Sequence, residues 1–409
     1  MAISKLKQTI YKTIRKNKDD FTALLTGSYP SFIYRNTPEF DKTIIPVFTF
    51  HCMEPKYFEK QLQFLALNNY CTLTANELEE CISGTRIASD KSIALTFDDC
   101  WGSLWATASP LMQKYGFNGI AFIIAGVVEE GDSLGPTLHD VWKGGCSMEK
   151  IKLRDKETPL CNWKEIKAMS DMGVFEFHSH SMFHNSIFVS NEIIDFINPG
   201  LYPSFLYSDF NPIFTLDDGE ATEWSIGENC LGQPVYKHEA SYASKTRFMP
   251  NPELGSACHD HIQKIGASVF FRHYDWNKEL TNIVTKKIKE GEVEGYFQTN
   301  DERFDEQCSD LSQSKAIIEK KLNKPVKHLC FPWFKGSDFA VKVAKHCGFT
   351  CCHWGFIEGC TINHTGDDPY YIKRMNDEYL FSLPGLGRKP LISLLLEKAI
   401  RIISYRMNA

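Results

Sequence analysis

Short apolar runs separated by amphipathic stretches recur along most of the chain. Ile44 to Phe50, Lys91 to Phe97 and Val174 to Phe177 are brief, β-branched or aromatic, and apolar on both alternating positions, the pattern of strands buried on two faces. Gly295 to Phe297, His328 to Phe331, Gly348 to Cys352 and Tyr370 to Ile372 read as further short strands. Between them, Phe58 to Leu65, Asn162 to Met169, Lys278 to Lys289 and Glu306 to Leu322 carry helical spacing. Strands alternating with helices predict an α/β fold built on parallel strands. The exception is the stretch from 187 to about 260, where Pro, Gly, Asp and aromatics follow one another without sustained periodicity; it reads as an insertion over the active face.

Three of these strands end in groups that carry chemistry. Lys91 to Phe97 runs into Asp98-Asp99, and Val174 to Phe177 into His178-Ser179-His180-Ser181-Met182-Phe183-His184. The strand from Ile44 ends at His51. One carboxylate and two imidazoles are a three-ligand set for a divalent metal with a position left for water, and the neighbouring carboxylate is free to act as a base. His180 and His184, four apart in a turn, can face one point; His178 is expected to face away from His180 and pack behind the site. Asp217-Asp218-Gly219 repeats the paired acids, but no apolar strand delivers it and it reads as a turn.

The motifs resemble those of polysaccharide deacetylases, carbohydrate esterase family 4. Ile93 to Asp99 and Glu176 to His184 are similar to the first two signature motifs of that family, and Asn162 to Met169 with Gly173 to the helix before the second. Ile44 to His51, followed by Phe58 to Leu65 and Thr74 to Leu78, resembles the start of the circularly permuted, exopolysaccharide deacetylase branch. The resemblance implies a distorted or incomplete (β/α) barrel, with Asp99, His180 and His184 as metal ligands, Asp98 as base and His51 as general acid. It implies a divalent ion, foremost Zn²⁺, although two His and one carboxylate also suit Fe, Co or Ni. The implied reaction removes an N-acetyl group from an amino-sugar glycan or its precursor. The alternatives are an amide hydrolase or deformylase acting on a non-polymeric substrate, and a catalytically dead carbohydrate-binding module.

Leu329 to Phe334 is similar to the third motif in an aromatic-Pro-aromatic form. It lacks the Arg that steadies the catalytic Asp in many relatives; Lys335 and Arg374 lie nearby, and sequence assigns the tether to neither. Trp101, Phe331, Pro332 and Trp333 are the candidates for contact with sugar. His353, after a strand-like run, competes with His51 for the role of acid.

Composition narrows the setting. A hydrophobic content of 43% with 23% charged residues is that of a globular chain, and a net charge of −6 argues against general nucleic-acid binding. Fourteen Cys without a secretory apolar segment point to reduced thiols in a cytoplasm. The group His346, Cys347, Cys351, Cys352, His353 and Cys360 lacks paired zinc-ligand spacing. Ile3, Leu6, Ile10 and Ile14 share one helical face ringed by Lys and Arg, the pattern of a helix packed on the barrel or at a dimer contact, or of one on an anionic membrane surface, where a lipid-linked glycan precursor would suit it. Leu391 to Ile403 is apolar but broken by charges. The expected organisation is a basic helix and lead-in over 1–42, a catalytic domain over 43–375 with its insertion at about 187–260, and a C-terminal amphipathic helix within 376–409.

Overall fold

The computed structural model describes residues 18–199, 230–357 and 359–398. Twelve strands are present among them: β1 (Val47–Phe50), β2 (Cys71–Thr72), β3 (Ser92–Phe97), β4 (Gly119–Ile123), β5 (Phe175–Ser179), β6 (Ser186–Phe196), β7 (Pro234–Ala240), β8 (Phe248–Pro250), β9 (Gly295–Phe297), β10 (His328–Cys330), β11 (Cys351–His353) and β12 (Met375–Asn376). The chain divides into two compact units, residues 1–180, 314–334 and 348–409 in the first and 181–313 with 335–347 in the second.

The first unit is a distorted (β/α) barrel. Its strands run in the order β11-β10-β5-β4-β3-β1-β12, all parallel, with β2 paired to β3. The remaining gap is spanned by one short segment. Ile372 exchanges backbone hydrogen bonds with Cys352 and Trp354 beside β11, and three residues later Met375 pairs with Phe48 of β1. Tyr370 to Ile372 is therefore not the strand its composition suggested. Pro369–Tyr371 forms a 3₁₀ turn, with Pro at its first position and the Asp368 carboxylate capping Tyr370 N, and only Ile372 joins the sheet.

β3 is buried at all six positions, as a parallel strand covered on both faces must be. Ile45, Val47, Ala94, Ile120 and Phe122 fill the interior with Leu78 and Ile82 from the helix Ala75–Ser83. That helix starts at a capping box, Thr74 with Glu77, and stops at Gly84 in the left-handed region, φ 78°. A second capping box, Asn162 with Glu165, starts the helix Trp163–Asp171 that leads into β5.

The second unit has its own core. β6 and β7 form a long antiparallel hairpin and β8 pairs with β9. Phe188, Leu231, Val235, Tyr236 and Phe248 pack in one cluster, and Phe196, Leu254, Ile262, Phe270 and Leu280 in another with the helices Pro252–Ile265 and Trp276–Lys289. β6 starts as an apolar run, Ser186 to Val189, and changes to a mixed pattern at a bulge, which is why no single period marks it. Asp217 and Asp218 lie outside the described residues.

Residues 391–398 are helical, with Leu394 buried and Ile392 and Leu396 exposed. Residues 376–382 precede this helix as the end of β12 and a 3₁₀ turn. No helix among the described residues is long and apolar enough to cross a membrane.

Candidate active site

Parallel register sets the site. β1, β3 and β5 end at one edge of the barrel, so His51, Asp98-Asp99 and His180 leave the sheet together. Asp98 is 2% exposed and is held by Arg374 in a two-pronged contact, Nη1 to Oδ1 at 2.7 Å and Nη2 to Oδ2 at 2.9 Å. Arg374 is equally buried. Its Nε donates to the Trp354 carbonyl at 3.0 Å, Nη1 to Thr96 Oγ1 at 3.2 Å, and its guanidinium lies 5.1 Å from the Phe334 ring centre. Every donor has a stated direction, so the guanidinium is fixed before any substrate arrives. Burial by itself would raise the Asp98 pKa, but Arg374, with His180 and His51, overcomes this and holds the carboxyl below its ordinary value.

Arg374 supplies the tether that sequence could not assign. No local signal marks it, since the carboxylate it pairs with lies 276 positions away in the sequence. Cys330 was also missed. Its Sγ lies 3.0 Å from Arg374 Nη2 and 3.8 Å from each oxygen of Asp98.

His51 Nε2 stands 3.9 Å from Asp98 Oδ2, and its ring meets Phe334 edge-on at 5.7 Å. With its side chain 43% exposed, His51 is open to an incoming molecule on one side and to the buried carboxylate on the other. His353 is placed differently. It is fully buried, lies tilted with its ring centre 4.7 Å from that of Phe122 and bonds His328 at 3.1 Å; burial, with His328 and Arg374 nearby, holds its pKa well below the ordinary histidine value.

Asp99 and His180 face each other, Oδ1 to Nε2 at 3.4 Å. The other ring nitrogen of His180, Nδ1, is 2.8 Å from the Cys330 carbonyl, which fixes the proton on Nδ1 and leaves Nε2 toward Asp99. Asp99 Oδ2 accepts from Trp101 Nε1 at 3.0 Å. His184 lies four residues on, in the same loop, where the second unit begins. Asp99 and His180, both in the first unit, face each other as donors of the kind that hold a metal, and His184 is the third donor in the sequence motif. All three residues are buried. Burial would lower the His180 pKa, but the surrounding groups, Cys330, Asp99 and Asp98, lift it well above the ordinary value. An imidazole and a carboxylate that face each other in surroundings that favour positive charge are chemically suited to a divalent cation.

The backbone is bent to serve the same loops. Of the nine non-glycine residues with positive φ among the described residues, six sit here: Asp99, Cys100, Ser181, His184, Trp333 and Phe334. Each such position costs on the order of 1 kcal/mol or more, and such residues cluster where geometry matters more than local comfort. In the loop, Ser181 Oγ accepts from His184 N at 2.9 Å.

Two candidates for sugar contact require correction. Phe331 is fully buried with its ring 4.9 Å from Trp354, and Pro332 is buried too. They belong to the core because β10 ends under them. Trp333, thrown outward by its left-handed backbone, is 37% exposed. Trp101 is half-buried and bonded to Asp99. His178 packs as expected, 4.8 Å from His328, but does not face away from His180: a strand's period of two puts positions 178 and 180 on one side, and both rings lie within about 6.5 Å of Phe122.

A barrel of parallel strands with acids and imidazoles at its carboxyl edge defines a class of α/β hydrolytic site. Residues 85–211 match the family model for polysaccharide deacetylase. It is 25% identical over 265 residues, 62% of this chain and 84% of the other, to the protein named "Putative polysaccharide deacetylase YxkH" of Bacillus subtilis (strain 168). Among solved structures it is similar to the BpsB deacetylase domain of Bordetella bronchiseptica, with 12% identity and TM-score 0.48 over 83% of this chain and 98% of that one. It is also similar to IcaB of Ammonifex degensii, with 14% identity and TM-score 0.46 over 85% of this chain and 98% of that one.

Proposed function

We propose that this protein is a metal-dependent N-deacetylase that hydrolyses the acetamide of an amino-sugar glycan or glycan precursor to acetate and a free amine. The observation that carries the reading is the buried Asp98, clamped by Arg374 and flanked by His51 at 3.9 Å, next to the Asp99–His180 pair. Asp99, His180 and His184 are the residues that would hold the ion, zinc foremost, with Fe, Co or Ni compatible with the same donors. When bound, the ion makes water acidic and polarises the acetamide carbonyl.

The chain's own groups do the rest. Asp98, ionised and unable to rotate, takes the proton of the attacking water at a carboxylate oxygen. His51, half in solvent, gives its proton to the amine nitrogen as the C–N bond breaks; an amine leaves poorly unless protonated. Trp101 and Trp333 offer indole faces to the sugar ring. Trp101 also keeps Asp99 Oδ2 occupied, so that Oδ1 stays toward His180.

The test is metal content together with acetate release across a panel of N-acetylated glycans. Bound metal with acetate released from at least one glycan is expected. Metal-free protein that still turns over, or metal-replete protein inert on glycans and active on a small formamide, would move the assignment to the related amide hydrolases. We also take the protein to be cytoplasmic, with residues 1–18 meeting an anionic membrane on which a lipid-linked precursor is carried; residues 1–17 lie outside the described residues. Deleting residues 1–18 should lower binding to anionic vesicles, and unchanged binding would remove the membrane from the proposal.

A further inference from the structure

The opposite end of the barrel holds a second group of metal-type donors. His328 opens β10 and Cys351 opens β11, and the two are direct partners in parallel register, so their side chains emerge side by side at the amino edge. Glu79, on the helix Ala75–Ser83, closes over them. Its Oε2 is 3.6 Å from His328 Nε2, and a carboxylate oxygen, the ring nitrogen and Cys351 Sγ lie within 4.8 Å of one another. His328 and Cys351 are fully buried, while the Glu79 side chain is 28% exposed, which leaves a way in from solvent.

Nothing within hydrogen-bond distance satisfies His328 Nε2, although it is buried. Leaving such a nitrogen unmade is costly, on the order of 1–3 kcal/mol. The other nitrogen, Nδ1, is 3.1 Å from His353 Nε2, and His178 stacks on the same ring. His328 Nε2 instead faces Glu79 Oε2 at 3.6 Å with Cys351 Sγ beside it, so imidazole, carboxylate and thiol converge as three donors of the kind that hold a metal. Glu79 Oε2 is steadied by Thr350 Oγ1 at 2.9 Å. Zinc bonds of about 2.0–2.3 Å place tetrahedral ligands roughly 3.3–3.8 Å apart, and the Glu79–His328 separation already falls in that range.

We propose that Glu79, His328 and Cys351 form a second divalent-cation site, of zinc or cobalt type, that fastens the amino-terminal end of the barrel. Binding releases the Cys351 thiol proton to solvent, so two anionic ligands and one neutral imidazole balance the dication in a buried place. The role is structural: the ion would tie the helix Ala75–Ser83 to β10 and β11, which have only three residues each. The group differs from the clustered cysteines and histidines of 346–360, of which it takes Cys351 alone.

The test uses the full-length protein, stripped with a chelator and reloaded with Co²⁺ alone. Two equivalents should bind, with a near-ultraviolet sulfur-to-cobalt charge-transfer band. Cys351→Ser should remove the band and one equivalent, whereas Cys330→Ser and His184→Ala should keep the band; retention in His184→Ala separates this site from the one assigned to Asp99, His180 and His184. Glu79→Gln, on a partly exposed helix, should weaken cobalt binding at the band by roughly tenfold or more, and it reads the site even where Cys351→Ser does not fold. Wild-type protein without the band at saturating Co²⁺, a band that survives Cys351→Ser, or an affinity unmoved by Glu79→Gln overturns the proposal.

Discussion

Two buried histidines only two residues apart, at and just past the carboxyl end of β5, are treated in opposite ways. At the carboxyl edge His180 is buried, yet its pKa is pushed well up; two residues back, toward the amino edge, His178 is as deeply buried and its pKa is pushed well down. Desolvation is the same first cause in both and acts in the same direction. Asp98, Asp99 and Cys330 outweigh it at His180, whereas His178 meets only His328 and Lys327. A step of two residues along a strand thus separates a place that favours positive charge from one that keeps imidazoles neutral. The distinction comes from which carboxylates the sheet brings alongside.

If that contrast is right, removing groups from the two settings should do different things. The largest effect is expected from His180→Ala, which should abolish turnover and metal binding at the carboxyl edge together, read by elemental analysis and acetate release. Residual turnover with metal retained would place the ligands elsewhere.

Arg374→Ala should come next. It strands a buried carboxylate, and breaking one partner of a buried pair typically costs about 3–5 kcal/mol. Thermal and denaturant unfolding should show that loss, and activity should fall with it. Arg374→Lys should restore much of the stability but less of the activity, because an ammonium cannot make the two-pronged contact. Equal recovery of both would mean that the guanidinium supplies charge and not orientation.

Asp98→Asn and Asp99→Asn separate the neighbours. The first should retain metal and lose about 10²–10⁴-fold in turnover, the usual worth of a general base; the second should weaken metal binding itself. His51→Ala should cost about 10²-fold without loss of metal, while His353→Gln, corrected for folded fraction, should stay within a few-fold of wild type. The reverse ranking of His51 and His353 would undo the contrast between the two settings.

The smallest effect on activity is expected in the second unit. Burial raises the Asp310 pKa to about 6, against hydrogen bonds from Tyr242 and from Met182 N. A raised carboxyl stabilises the fold fully below its unfolded value of 3.8, and that contribution is lost as pH rises through about 6. Asp310→Asn keeps an acceptor for Met182 N without a charge. Relative to wild type it should gain about 1–3 kcal/mol of stability between pH 4 and 7, with turnover near neutrality little changed. A stability difference flat in pH would show that Asp310 does not titrate there.

Much of this protein was legible in the chain alone. Buried strands of a parallel sheet are mostly apolar, so β1, β3 and β5 stand out, and the acids and histidines at their ends are close in sequence: Asp98 beside Asp99, His184 four residues after His180. What sequence could not supply were pairings between distant segments. Arg374 reaches Asp98 across 276 positions, and nothing local marks it, because the turn before it forms no strand and its partner is set by barrel closure. The aromatic run Phe331 to Trp333 could not be sorted into core and surface from composition, since a left-handed kink at Trp333 decides which ring faces out. His328 joins Cys351 only through the register of two three-residue strands, and Glu79 only through the packing of a helix across their ends. Local patterning specifies elements and the groups they carry; the order of strands in the barrel specifies which groups meet.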